Sequence, residues 1–470
     1  MSLHTLYERE YIMRDSIYST LARLRPAFGA LVCALAIVAC DTDHLLRVDD
    51  PDVASPGTVA GADKLPTQLA GLIGDFQEGV DGSDASEGLV NLGGLLSDEF
   101  SFTETFPTRI VIDQRRMTRS NTTLTPIFFN IQRARASGER TSAAYDEFAP
   151  DDAGHSEALS LTGFAEVFLA ETYCSGVPFT SLNDDGSLAN NDPLTTEQAL
   201  TIAVAHFDSA ITIAQTAGDA DLEALARVGK ARALMNLGSD NFADAATTVS
   251  SVPTDFTYLV HHSANTGREN NGQWEFIWNE GRWSQADLEG TNGLDFRSAA
   301  DPRTPFTDLG SGFATNTRLF GPDKYSDRAD DMILASGVEA RLIEAEAALA
   351  DGQSGTWLDD LNALRSGSGL GLTALADPGT PDARVDLMFR ERAFWMYATG
   401  HRLGDLRRLA RSTARGGYGR NAETVFPTGT YIYRGTAQGT YGTDVNFPIP
   451  IEEGNNPASK AIDGCIDRDP

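Results

Sequence analysis

The sequence predicts a mainly α protein in which tetratricopeptide-like helical pairs form a scaffold interrupted by long irregular loop regions. Three observations carry that prediction. Apolar residues recur at helical spacing over about 158–250 and again over about 337–409. Small residues, among them Ala224, Ala226, Gly229, Ala231 and Ala233, punctuate the first of these blocks and let helices approach closely. Between the blocks, about 255–334, no helical period is sustained, and so long an irregular stretch inside a domain usually carries function.

Composition bounds the rest. The 470 residues, 41% of them hydrophobic, suffice for one large core. Lys and Arg number 37 against 67 Asp and Glu, a net charge of −30. Such a chain repels nucleic-acid phosphates and anionic headgroups, so neither is an expected partner surface, and strongly anionic ligands are disfavoured.

Residues 1–39 read as a targeting segment. Arg14, Arg23 and Arg25 supply positive charge, and the apolar run from Ala27 to Val38 is too short to span a bilayer comfortably. Met13-Arg14 is a plausible true start. The run ends in Ile37-Val38-Ala39-Cys40, which resembles the lipobox of bacterial lipoproteins; that resemblance implies cleavage before Cys40 and its lipidation. Residues 40–57 form a polar tether, and 58–470 a single domain.

Helices are expected over Lys64–Glu78 and from a Thr125-Pro126 start through Ile131; Gly82 to Ser101 is rich in Gly and Ser, with Asp98-Glu99-Phe100 and then Phe102–Pro107 expected as loop. Ala158–Tyr173 is an apolar helix. Thr195 and Gln198 have capping-box spacing for a helix to about Thr216, followed by Leu222–Leu237 and Phe242–Val249. Gly337–Leu349 opens the second block. Leu387 to Tyr397 crowds a helical repeat around Arg390, Glu391 and Arg392, is expected to stop at Gly400, and leads to a short helix, Leu403–Leu409, with Asp405, Arg407 and Arg408. Spacing alone favours a core helix pair pinned by ion pairs.

Several of these stretches share wording with a known family. Arg390-Glu-Arg-Ala-Phe394 with Gly400-His-Arg-Leu-Gly-Asp-Leu-Arg-Arg408 resembles the C-terminal signature of SusD/RagB-like outer-membrane lipoproteins, although Trp395 and Thr399 stand where acidic residues are common. Asp301-Pro-Arg303, Lys324-Tyr325, Val338–Ala347, Leu361–Arg365 and Phe447-Pro-Ile-Pro450 with Asn456-Pro457 follow the family's order. The resemblance implies a SusD-like bundle of helical pairs, lipid-anchored on the outer membrane and facing the cell exterior. It would capture an oligosaccharide or peptide and deliver it to a SusC-like TonB-dependent β-barrel transporter, with no bond breaking.

No enzyme motif stands out: there is no His-Glu-x-x-His, no Gly-x-Ser-x-Gly and no phosphate-cradling Gly-Lys-Ser/Thr. A surface hydrolase using two carboxylates needs no local motif and stays as an alternative, as does a structural subunit of a transporter complex. No cofactor or metal is expected. His261-His262 reads as a pair of solvated loop histidines, and the Asn183–Ser187 segment as a plain turn. Cys174 and Cys465, the cysteines left after the signal and anchor, are either bridged or separately buried thiols. The candidate ligand residues are Trp274, Trp278, Trp283, Asn279 and Arg282 in the irregular stretch. Sugar C–H faces stack on aromatic rings while amides and guanidiniums bind hydroxyls, and the competing reading places one or two of these Trp in the core.

Overall fold

Thr195 accepts from the Gln198 amide while the Gln198 side chain accepts from the Thr195 amide, and this reciprocal cap starts the helix Thr196–Ala217. The computed structural model describes residues 61–183, 187–353, 355–459 and 464–470. The signal segment, Cys40, the tether and the centre of the 183–187 turn lie outside the described residues. In chain order the main helices are α1 (Leu65–Val80), α2 (Leu89–Leu96), α3 (Pro107–Asp113), α4 (Leu124–Phe148), α5 (Ala153–Thr172), α6 (Thr196–Ala217), α7 (Ala220–Leu237), α8 (Phe242–Val249), α9 (Gly337–Ala350), α10 (Thr356–Gly367), α11 (Pro381–Trp395) and α12 (Arg402–Ala410).

Each scaffold helix packs on the next: α1 on α4, then α4 through α10 in unbroken succession. Close approach has a visible cause at Phe207 of α6. Its ring lies between Gly163 of α5 and Gly229 of α7, where an added Cβ would come within 2.8 Å and 2.2 Å of the ring atoms. Three helices thereby share one aromatic key, which no residue larger than glycine would admit.

Succession from α8 to α9 is kept although about 255–334 intervenes. Two strands, β2 (Thr257–Val260) and β6 (Met332–Ser336), pair antiparallel at the neck of this insertion, with Val260 opposite Met332 and Thr257 opposite Ser336. The irregular region thus leaves and rejoins the scaffold at one point. It projects towards the N-terminal part of the chain, where β3 (Trp283–Gln285) pairs with β1 (Phe100–Phe102).

One helix is unforeseen, and three expectations need correction. The Gly/Ser-rich stretch contains α2, all of whose residues are buried; its eight-residue run Leu-Val-Asn-Leu-Gly-Gly-Leu-Leu has no polar face, so periodicity cannot reveal it. The helix expected to end at Ile131 continues to Phe148. Helix α11 stops at Trp395 rather than at Gly400, because Ala398 turns left-handed at φ 57° and gives its amide to the buried Glu99 Oε1 at 2.9 Å. His261 is solvated, but His262 is fully buried, with Nε2 3.0 Å from Asp81 Oδ2.

Glu391 and Arg392 of α11 and Arg402, Asp405 and Arg408 of α12 are buried and paired, whereas the buried Arg407 donates to the carbonyls of Ala170, Glu171 and Tyr173. Glu391 accepts from Arg303 and Arg365, each at 2.7 Å. Arg392 reaches Asp405 at 3.1 Å, and Arg408 joins Asp405 at 2.7 Å to Glu346 of α9 at 3.1 Å. Arg402 makes a bidentate pair with Asp98 at 2.6 and 2.9 Å. Burial alone would push the Asp405 carboxyl up; the Arg392 and Arg408 guanidiniums outweigh it and hold the group below the usual carboxylate range.

Cys174 and Cys465 are disulfide-bonded, with Cα atoms 5.9 Å apart across 291 residues of sequence. Beside the bridge, Cys174 N donates to Phe447 O and Ile466 N to Ser175 O, so the C-terminal segment is laid against the end of α5.

Two predictions follow from this packing. Replacing both cysteines by serine should lower unfolding free energy by about 2–5 kcal/mol in urea titrations, and two free thiols in the native wild-type chain would contradict the bridge. Asp405→Asn should cost about 3–5 kcal/mol at pH 7 by leaving cations under-compensated in a dry site. Because the folded carboxyl titrates below its unfolded value, that contribution is present above the ordinary carboxylate range and is lost as pH falls. The gap between variant and parent should therefore narrow in urea titrations at about pH 3.

Candidate functional site

Three segments meet at one edge of the insertion. The Thr103 amide donates to Arg282 O at 2.8 Å, and its carbonyl accepts from Ala314 N at 3.0 Å. Its hydroxyl donates to Gly281 O at 2.7 Å. Gly312 lets the 311–318 turn come this close, since a Cβ there would lie 2.8 Å from Thr103 and 2.6 Å from Thr317 Oγ1. The turn joins β4 (Phe306–Ser311) to β5 (Arg318–Pro322), which pair antiparallel.

A fourth segment roofs this junction. Strands β7 (Thr430–Tyr433) and β8 (Thr436–Thr440) form a hairpin whose tip residues, Arg434 and Gly435, both take positive φ, at 55° and 72°. A two-residue turn of this hand matches strand twist, and glycine at its second position suits it. Arg434 Nε donates to Asn316 Oδ1 at 2.6 Å and fastens the tip to the turn below.

Between hairpin and junction lies a cleft of about 270 Å³, whose walls include Asn316, Arg318, Tyr431, Tyr433, Arg434 and Tyr441. Tyr431 stacks parallel to Tyr433 at 6.3 Å between centroids and meets Tyr441 edge-on at 5.2 Å. Beside the cleft, Phe106 and Phe313 stand 43% and 54% exposed. The Arg282 guanidinium lies 5.6 Å from the Phe106 centroid and 5.7 Å from that of Phe313. Arg282 is in turn held by Glu280 at 2.8 Å and Glu104 at 3.3 Å. Burial pushes both of these carboxyls up, against the pull of Arg282.

The floor carries two carboxyls. Asp113, at the end of α3, accepts from the Tyr431 hydroxyl at 2.7 Å and from Phe102 N at 3.3 Å. Glu289 accepts from the Tyr441 hydroxyl at 3.0 Å. Burial and then the charge of Asp113 raise the Glu289 carboxyl well above the ordinary range, and the two groups are hydrogen-bonded to each other. Among the described residues, no group of three or more His, Cys, Asp or Glu is placed to hold a metal ion.

The five residues singled out in the sequence have different fates. Arg282 joins the exposed Phe pair. Trp283 is fully buried beneath the cleft, edge-on to Phe102 at 5.8 Å, so its ring is core and presents no face to a ligand. Trp278 is half-buried and clamps β5, its Nε1 donating to Pro322 O at 3.2 Å. Trp274 lies 5.8 Å from the Arg328 guanidinium, and Asn279 bonds Glu275 at 2.7 Å; neither lines the cleft. Phe106, Phe313 and the three tyrosines were missed. The hairpin had a signal, the alternation Thr430-Tyr-Ile-Tyr433 before Arg-Gly, whereas its meeting with residues 101–106 had none.

Two larger grooves exist. One of about 510 Å³ contains a single aromatic ring, Phe129, and one of about 530 Å³ beside Tyr258 is walled by Glu157, Asp221 and Asp255. The first has one ring, and the second, which also holds Phe256 and His261, has no Lys or Arg, whereas the smaller cleft combines several rings with guanidiniums and carboxyls.

No family model matches the sequence, and no curated protein matches it. Solved structures do. A SusD superfamily protein from Bacteroides vulgatus is 14% identical with a TM-score of 0.57, covering 84% of this chain and 97% of its own. A SusD-like carbohydrate binding protein from Bacteroides fragilis is 14% identical with a TM-score of 0.59, over 84% and 98%. A SusD/RagB family protein from Bacteroides thetaiotaomicron is 14% identical with a TM-score of 0.56, over 85% and 96%. Among the described residues no helix is long and apolar enough to cross a membrane. At such identity the likeness is one of architecture, and the fold of this chain is the SusD-like fold.

Proposed function

We propose that this chain is a glycan-binding lipoprotein of the SusD/RagB type, anchored through Cys40 to the outer membrane and facing the cell exterior. It holds an oligosaccharide across the Phe106–Arg282–Phe313 surface and the tyrosine cleft. From there it delivers the ligand to a SusC-like TonB-dependent β-barrel. The observation that carries the reading is the pair of large exposed rings flush with a cleft of tyrosines, guanidiniums and amides. Rings supply stacking faces for sugar C–H groups, and the fixed polar groups orient hydroxyls. Carbohydrate-binding relatives in fold agree with this chemistry. A peptide ligand would use the same surface through its backbone amides. Affinity here comes from a preorganised surface rather than from a reactive group.

A glycan array with the purified ectodomain, followed by calorimetry on the strongest binder, tests the reading. Phe313→Ala and Tyr433→Ala should each weaken binding by roughly tenfold, the scale of one lost stacking contact, with little change in melting temperature. Absence of binding to any glycan, or undiminished affinity in both variants, would count against the assigned surface. Turnover of the bound glycan would instead move the chain to the hydrolases. Co-purification of a C-terminally tagged chain from solubilised outer membranes tests delivery: recovery of a TonB-dependent barrel supports it, and recovery of an unlipidated chain alone refutes both anchor and partner.

A further inference from the structure

The Asp113–Glu289 pair is not accounted for by ligand stacking. Asp113 Oδ1 and Glu289 Oε2 are buried, and neither receives a donor from any N–H or hydroxyl. The other oxygen of each carboxyl is committed to a tyrosine hydroxyl of the cleft wall, Oδ2 to Tyr431 and Oε1 to Tyr441. Two carboxyls in contact in a dry site cannot both be ionised at low cost, and the arrangement is satisfied when one proton lies between the two donorless oxygens. We infer that Asp113 and Glu289 position the tyrosine wall of the cleft through one shared proton, so that the β7–β8 hairpin is firmly docked while the proton is held and loosened when it is lost.

Surrounding charges do not replace that proton. Arg115, on which Glu289 acts, gives Nε to Asp444 O at 2.8 Å and Nη1 to Pro427 O at 2.6 Å. Asp98, which adds to the negative field at Glu289, is neutralised by Arg402. Glu104 acts on Tyr433 at the mouth, where it is paired with Arg282. Arg318 is paired with Asp308 on the exposed rim, and Arg434 is fastened to Asn316. Tyr431 and Tyr441 are themselves raised, by burial and then by Asp113 and Glu289 respectively, so both remain donors.

The sign follows from linkage. Glu289 titrates above its solvated value when the hairpin is docked, so docking is favoured below the ordinary carboxylate range and weakens as pH rises towards and through the docked value. Each unit of difference between the docked and free values corresponds to roughly a tenfold change in the docking equilibrium. The consequence for oligosaccharide affinity rests on the binding function proposed above; the geometry of the pair does not.

Hydrogen exchange of the full chain tests the inference without any ligand. Protection of the Thr430–Thr440 amides, corrected for intrinsic exchange, should fall roughly tenfold or more in the wild type between about pH 6 and pH 9. In Glu289→Gln, whose side-chain amide donates to Asp113 at every pH, protection should stay level, and Asp113→Asn should behave likewise with the roles reversed. A parallel fall in wild type and variants, or no fall in the wild type, overturns the inference. Should neither variant fold, the Glu289 carboxyl carbon of the wild type is titrated by NMR, and an inflection in the ordinary carboxylate range overturns it equally. A failed glycan screen with a pH-dependent hairpin removes the function and keeps the device, and the converse result separates them the other way.

Discussion

The buried carboxylate–guanidinium network around α11 and α12 is the constraint on which the rest of the structure depends. Glu391 of α11 receives Arg365 from α10 and Arg303 from the insertion. Asp405 of α12 receives Arg392 and Arg408, and Arg408 extends to Glu346 of α9. Arg402 reaches across to Asp98, ahead of β1. Three neighbouring clusters of paired charges therefore tie two consecutive scaffold pairs to the insertion and to the N-terminal segment that helps build the cleft. Desolvating so many charges is unfavourable unless each finds its partner at hydrogen-bond distance, so the network tolerates one arrangement of those segments and penalises others. Its contribution is to uniqueness more than to net stability.

That arrangement explains how an irregular region can hold a defined surface. The insertion is closed at its neck by β2 and β6, anchored at Arg303 to Glu391, and fixed at Lys324, whose ammonium donates to Tyr397 O at 2.7 Å. Burial draws the Lys324 ammonium down to about 8, with Glu99 opposing the shift. Between those anchors the chain is free to use turns and short strands, and it spends them on presenting Arg282 and Phe313 beside Phe106. The scaffold gives rigidity, the insertion gives chemistry, and the paired charges connect them.

The cleft combines two requirements that pull in opposite directions. A stacking surface must leave large rings in water, as Phe106 and Phe313 are left. Its tyrosine wall must nevertheless be held rigidly, and here the hydroxyl ends of Tyr431 and Tyr441 are sunk onto Asp113 and Glu289. Anchoring Tyr431 and Tyr441 by their polar ends, with both rings buried, fixes the wall on which the half-buried Tyr433 stands.

Sequence by itself determined the helical scaffold and the ion-paired character of its C-terminal pair, because 3.6-residue periodicity, caps and charge placement are local properties. The Thr195 capping box and the helix Phe242–Val249 stand where spacing put them. Its wording also pointed to the SusD-like fold through an ordered series of short motifs. Helix α2 escaped, since a uniformly apolar, glycine-bearing run has no period to detect. The choice among tryptophans escaped as well: whether Trp283 is core or contact depends on Phe102, nearly two hundred residues away, packing against it. Only the tertiary structure decided which rings reach water and which carboxyls touch. Exposure and proton sharing are properties of neighbours brought together from distant parts of the chain, and no spacing within one segment encodes them.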